Sequence, residues 1–167
     1  MPHPPFPRPH AGGPPTAMLR IQQDRAEQLA DDLLAKMRRH ERFAQPDPVA
    51  AALTKLLAVV RIHLRQEESS LLPDLLASPD PHVRDTARRF RREMVLLADA
   101  VENFAARWRH RDAIERQYDH FRNETTDLLT QLAERIRSEN DELYPLVERC
   151  SATHERNDAP MPMPPAR

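Results

Sequence analysis

The segment HLRQEESSLLP at residues 63–73 aligns without gaps with RIRSENDELYP at residues 135–145, and this repeat is the strongest indication of the fold in the sequence. In both copies a glutamate lies four residues after the first position, a leucine follows four residues later, and a proline ends the segment. Residues four apart lie on the same face of an α-helix. Each copy therefore predicts a helix that carries an ionisable residue, a glutamate and a leucine on one face.

Apolar residues at steps of three and four extend these two faces and predict two further amphipathic helices. The helices are predicted over residues 18–43, 48–77, 82–108 and 113–149. The stripe of the first helix is predicted to be Met18, Ile21, Arg25, Leu29, Leu33 and Met37. The second helix has Leu53, Leu56, Val60, His63, Glu67 and Leu71. The third has Val83, Ala87, Phe90, Met94, Leu97, Val101, Phe104 and Trp108. The fourth has Leu128, Leu132, Arg135, Glu139, Leu143 and Leu146.

Glycine and proline divide the chain into a helical body and two tails. Residues 1–17 contain seven prolines and both glycines, and residues 159–167 contain four more prolines. Such segments cannot bury a core, so we expect disordered tails at 1–17 and 151–167 around one domain at 18–150. Four stripes with short connections predict an all-α fold, an up-down-up-down four-helix bundle. Pro73 and Pro145 are expected to kink or end their helices.

Composition argues against several classes of partner. The net charge is −1 and the pI about 6.7, so nothing indicates binding to nucleic acid or to an anionic membrane. The apolar runs are far shorter than the roughly 20 residues that a membrane-spanning helix needs. Cys150 is the only cysteine, which rules out an internal disulfide and makes a cytoplasmic location the expectation. Arginine clusters and proline-rich tails leave an unidentified protein partner open.

Ionisable residues interrupt three of the four stripes near one end of the predicted bundle. They are Arg25 on the first helix, His63 with Glu67 on the second, and Arg135 with Glu139 on the fourth. Met94 is the residue of the third helix at about the same depth. A buried charge costs several kcal/mol unless it is paired or bound to a metal ion, so these positions require an explanation.

The two repeated segments resemble the hemerythrin-like, or HHE, domain family. That family has one histidine on each of the first and third helices, and a His-x-x-x-Glu element ending in a Leu-aromatic-Pro type segment on the second and fourth. HLRQEESSLLP matches the second-helix element, and ENDELYPLVE at 139–148 matches the latter part of the fourth. The resemblance, over about residues 18–150, implies two non-haem irons held by histidines and bridging carboxylates, for oxygen binding, iron handling or sensing.

Carried over position by position, the resemblance assigns His63, Glu67 and Glu139 as metal ligands and places Arg25, Met94 and Arg135 where histidines are expected. Arginine is always cationic and offers no lone pair to a metal, but it bonds well to carboxylates. We therefore expect a degenerate site in which side-chain cations replace iron, with either no cofactor or weakly held non-haem iron. Three protein ligands could still hold a single zinc or iron.

Three functional hypotheses follow from this pattern. The first is a binding or sensor module related to non-haem di-iron proteins, with the di-iron site partly or wholly lost. The second is a metal-free structural or protein-interaction bundle held by a buried Arg–Glu cluster. The third, a di-iron enzyme, is disfavoured because too few ligands remain for two irons.

Overall fold

Seven α-helices and one π-helical turn make up nearly all of the computed structural model, which describes residues 14–43 and 46–157. The helices are α1 (Ala17–Phe43), α2 (Pro46–Ser70), α3 (Leu72–Leu76), α4 (Pro81–Arg107), α5 (Arg111–Arg116), α6 (Tyr118–Ser138) and α7 (Tyr144–Asn157). The π-helical turn, Glu139–Leu143, joins α6 to α7. No β-strand occurs within the two described ranges, which confirms the prediction of an all-α protein.

The four long helices form a bundle in which each packs against two others. α1 contacts α2 and α6, and α4 contacts the same two helices. The hydrogen bond of 2.7 Å from Gln22 to Gln66 joins the start of α1 to the end of α2. Tyr118, at the start of α6, donates a bond of 2.9 Å to the carbonyl of Met37 near the end of α1. These pairings give antiparallel neighbours and confirm the up-down-up-down bundle.

The predicted stripes of the second and third helices are confirmed, since every residue named in them is buried. The predicted stripe of the first helix is wrong in its first half. Met18 and Ile21 are 54% and 60% exposed, and Arg25 is exposed as well. The buried residues there are Leu19, Gln23 and Ala26, which continue the same face towards Leu29.

The two prolines of the repeat interrupt the backbone differently. Pro73 lies in the first turn of α3, and α2 ends three residues before it, so the helix predicted over 48–77 is in fact two. Pro145 follows the π-helical turn, whose last bond runs from the Tyr144 amide to the Glu139 carbonyl five residues back. A proline has no N–H for the carbonyl four residues before it, and its ring crowds that carbonyl. Both features are therefore expected consequences of proline.

The helical body is longer than the sequence predicts. α7 continues to Asn157, past the predicted start of the C-terminal tail at residue 151, and Thr16 of the predicted N-terminal tail is fully buried. Residues 1–13, 44–45 and 158–167 lie outside the described part, so the disorder predicted for the tails stays a prediction. Within the described part, every helix falls short of the combined length and apolarity that crossing a membrane requires.

Candidate metal centre

Two glutamates and a histidine meet inside one end of the bundle. Glu67 on α2 and Glu139, the first residue of the π-helical turn, have no solvent exposure, and His63 is only 8% exposed. His63 and Glu67 lie one turn apart on the same face of α2. One potential ligand atom of each of the three residues lies within 4.8 Å of the other two. The structure thus brings together the three residues that the sequence predicts as ligands.

Arg135 connects the two buried carboxylates. Its Nη2 donates to Glu67 Oε2 at 2.9 Å, and its Nε donates to Glu139 Oε1. The remaining nitrogen donates to the carbonyl of Phe90 at 3.1 Å and lies 3.6 Å from Glu93 Oε2. The guanidinium carbon also lies 4.8 Å from the centre of the Phe90 ring. Arg135 is therefore held on several sides, and it neutralises one of the two buried negative charges.

Each carboxylate uses only one of its oxygens to bind Arg135. Glu67 Oε1 has no hydrogen-bond partner, although it is buried. Glu139 Oε2 lies 3.3 Å from His63 Nε2 and accepts bonds from Gln23 Nε2 at 2.6 Å and from the Tyr144 hydroxyl at 3.3 Å. His63 Nδ1 is the second buried atom of this cluster without a partner. An unpaired buried carboxylate oxygen is costly, so this arrangement leaves room for a further cation.

The first helix contributes Gln23, not the predicted Arg25. Gln23 is 3% exposed and donates to Glu139 and to the Tyr144 hydroxyl, at 2.6 and 3.0 Å. Arg25 is exposed, and the hydrogen bond it makes within the described residues is to Gln28 of its own helix, at 3.3 Å. The prediction for Arg25 failed because it was based on the apolarity of Met18 and Ile21. A second stripe through Leu33, Leu29, Ala26 and Gln23 has the same steps of three and four, so the spacing alone does not distinguish Gln23 from Arg25.

Tyr144 and Met94 also differ from the sequence expectation. Tyr144 is fully buried and donates to Glu139, a role that the Leu-Tyr-Pro pattern did not predict. Met94 is buried at 3% exposure, as predicted, but it lines a separate groove with Leu64 and Val101. Met94 is therefore a core residue near the cluster, and no hydrogen bond within the described residues connects it to the carboxylates.

Burial and charge shift the pKa values in this cluster in opposite directions. Burial, followed by the charge of Glu139, raises the pKa of Glu67 to about 7 despite the opposing effect of Arg135. Burial would also raise the pKa of Glu139, but the hydrogen bond from His63 and the charge of Arg135 outweigh it and hold that pKa below its usual range. Burial raises the pKa of the Tyr144 phenol far above its ordinary value, so this hydroxyl stays protonated and can donate.

The raised pKa of Glu67 predicts that metal-free protein loses stability as the pH rises. Below the unfolded-state pKa, near 4.5, the carboxyl is protonated in both the folded and the unfolded state. Between this pH and about 7 it ionises only in the unfolded state, which lowers the free energy of that state relative to the folded one. The free energy of unfolding is expected to fall by about 3 kcal/mol across this window. Urea unfolding in chelator at pH 5 and pH 8 measures the difference. Glu67→Gln should flatten it, and an equal pH dependence in that variant would contradict the assignment.

A cavity of about 70 Å³ borders the cluster and opens between the helices of the bundle. The polar residues that line it are Gln23, Glu27, His63, Arg135 and Glu139, but most of its surface is apolar. Its apolar wall includes Ala26, Ala30, Leu56, Val60, Leu97, Leu129, Leu132 and Ile136. One water needs about 10–15 Å³ of such volume. The cavity therefore has room for one small molecule beside Glu139.

Comparison with known proteins identifies one relationship. The family model for the hemerythrin HHE cation binding domain matches residues 14–147, which is most of the chain. The match includes α1 through the first residues of α7 and thus every residue of the cluster. No curated protein and no solved structure matches the chain.

Proposed function

The chain belongs to the hemerythrin HHE cation binding domain family, and on that premise we propose that it is a binding module for a single divalent metal ion. Arg135 takes the place of the second metal ion. The ligands of the single ion are His63 Nε2, Glu67 Oε1 and Glu139 Oε2. The observation that supports the proposal is that each carboxylate bonds to Arg135 through one oxygen only, which leaves Glu67 Oε1 without a partner and Glu139 Oε2 beside His63.

Two metal ions do not fit the donor set of this chain. The family resemblance implies a histidine at the position of Arg135, and a guanidinium has no lone pair to give. Arg135 also occupies the space between the two carboxylates, since it bonds to both. A bound pair of Fe²⁺ ions would bring four positive charges against this buried cation. The proposal therefore excludes the dinuclear centre that the family resemblance implies.

One metal ion fits the residues better. Without it the cluster has two carboxylates and one guanidinium, so one negative charge lacks a fixed partner once Glu67 ionises, at a pH above about 7. A divalent cation would supply that partner and satisfy Glu67 Oε1. One imidazole nitrogen and two carboxylate oxygens form a ligand set that suits divalent first-row metals such as iron, manganese and zinc. Three protein ligands would leave coordination positions free, and the adjacent cavity has space for an external ligand.

Metal titration of the full chain tests this proposal. Protein stripped with chelator is titrated with Fe²⁺ under anaerobic conditions and with Zn²⁺ and Mn²⁺, and bound metal is measured by calorimetry and elemental analysis. We expect one ion per chain. Glu67→Gln should weaken binding by at least about 100-fold, because loss of an outer-shell partner alone costs 10–100-fold.

Glu68→Gln is the matched control, since Glu68 is the adjacent glutamate and is exposed. This variant should bind metal as the wild type does. Two ions per chain would contradict the replacement of a metal by Arg135. Absence of binding would instead support the second hypothesis, a metal-free bundle in which the Arg–Glu cluster is structural.

A further inference from the structure

The π-helical turn sets the position of Glu139. Glu139 is its first residue, and the Tyr144 amide bonds to the Glu139 carbonyl across five residues instead of four. If this turn became α-helical, Glu139 would rotate relative to Tyr144 and α7 by about one residue, roughly 100°. The hydrogen bond from the Tyr144 hydroxyl to Glu139 Oε2 would then be lost. The orientation of this carboxylate therefore depends on whatever holds the π-helical turn in place.

Arg20, near the start of α1, contacts the π-helical turn and α7 together. Its Nη1 donates to Asn140 Oδ1 at 2.5 Å, and its Nη2 donates to Glu148 Oε1 at 3.3 Å. The guanidinium carbon lies 5.0 Å from the centre of the Tyr144 ring. Thr16, one turn earlier, also donates to Glu148. One side chain thus contacts the residue after Glu139, the residue that donates to Glu139, and the following helix.

Two of the residues that Arg20 contacts bond to Glu139 or lie next to it. Asn140 follows Glu139 directly in the π-helical turn, and Tyr144 bonds to Glu139 through both its amide and its hydroxyl. Arg20 itself does not touch the carboxylate. Its side chain is 38% exposed, and exposed ion pairs contribute little to global stability. Its main effect is therefore expected to be local.

We propose that Arg20 is a positioning residue that fixes the π-helical turn and Tyr144, and so directs Glu139 Oε2 towards His63. The expected effect of Arg20 on metal affinity rests on the proposed metal site. Its expected effect on the π-helical turn applies to the metal-free protein as well. It adds the start of α1 to the site through a residue that binds no metal.

Arg20→Met tests the proposal, with Arg25→Met as the matched control. Arg25 lies on the same helix and is exposed, but within the described residues its side chain hydrogen-bonds to Gln28 of α1 and not to the π-helical turn or α7. The first measurement is hydrogen exchange of the Tyr144 amide in chelator-treated protein. We expect exchange to be about tenfold faster in Arg20→Met and unchanged in Arg25→Met. Unchanged exchange in Arg20→Met would overturn the proposal, whether or not the protein binds metal.

The second measurement separates positioning from folding. The affinity for Zn²⁺ should fall 10–100-fold in Arg20→Met, as for other outer-shell changes, while the midpoint of urea unfolding stays near that of the wild type. The visible spectrum of the Co²⁺-loaded variant should differ from the wild type, because the Glu139 oxygen shifts. If wild type binds no metal, the proposed function fails, and amide exchange still decides the role of Arg20. If wild type binds metal and Arg20→Met binds it equally well with the same spectrum, the positioning role fails alone.

Discussion

The triple variant Gln23→His, Met94→His and Arg135→His is expected to bind two divalent metal ions per chain instead of one. The three substitutions remove the guanidinium that bridges Glu67 and Glu139 and supply imidazole nitrogens on α1, α4 and α6. The α4 position, Met94, lies one helical turn after Phe90, whose carbonyl accepts a bond from Arg135. Imidazole is a ligand for iron and zinc, and the two buried carboxylates can then share both of their oxygens with metal. Elemental analysis and calorimetry of the reconstituted protein measure the stoichiometry.

A second triple variant makes this test specific. It has Arg25→His in place of Gln23→His, because the sequence alone predicts Arg25 as the α1 residue of the site. Since Arg25 is exposed and Gln23 is buried against Glu139, we expect only the variant with Gln23→His to take up two ions. Equal uptake by both variants would show that the α1 position does not contribute a ligand. Folding of each variant is checked by circular dichroism before metal is added.

The parts of the site on α2 and α6 could be predicted from the sequence because they repeat. His63 with Glu67 and Arg135 with Glu139 have the same spacing, each is followed by a buried leucine, and each copy ends in a proline. The apolar residues around them have an unbroken helical period. In such segments apolar residues mark the buried face, so an ionisable residue on that face can be recognised as a candidate site residue.

The α1 part of the site could not be predicted in this way. Gln23 is polar and buried, and its burial is compensated by bonds to Glu139 and Tyr144, which are more than one hundred residues away. Met18 and Ile21 are apolar and exposed. Apolarity is a poor guide to burial near a bundle end, where a polar residue with distant partners replaces an apolar one. Those partners are known only once the fold is assembled.

The π-helical turn is a second feature that could not be predicted from the repeat. The two copies align without a gap. In the first copy α2 ends at Ser70 and α3 begins at Leu72, whereas in the second copy a π-helical turn precedes Pro145. Proline predicts a disturbance at both places but not its form. The contacts from α1 differ between the two copies: Arg20 and Gln23 bond to Asn140 and Glu139 in the second copy, whereas Gln22 bonds to Gln66 in the first.

Arg135→Met is expected to be the most destabilising substitution within the buried His–Glu–Arg cluster of the metal-free protein. It leaves Glu67 and Glu139 buried with no cation between them, and the loss of one partner from a buried ionic cluster costs about 3–5 kcal/mol. Glu67→Gln is expected to cost less, because Arg135 keeps its bonds to Glu139 and to the Phe90 carbonyl. Urea unfolding at pH 8 in chelator measures both values. Below pH 7 the loss in Arg135→Met should shrink, because a carboxylate can take up a proton instead.

Arg61→Met is the matched control for this prediction, since Arg61 also bonds a glutamate through two nitrogens, at 2.6 and 2.7 Å, but on the surface. Its cost is expected to stay below about 1 kcal/mol, the usual value of an exposed ion pair.

A divalent metal ion should then stabilise Arg135→Met more than wild type, because it supplies the missing positive charge to both carboxylates. If the two arginine variants lose equal stability, or if metal stabilises Arg135→Met no more than wild type, Arg135 does not act as the internal cation of this site.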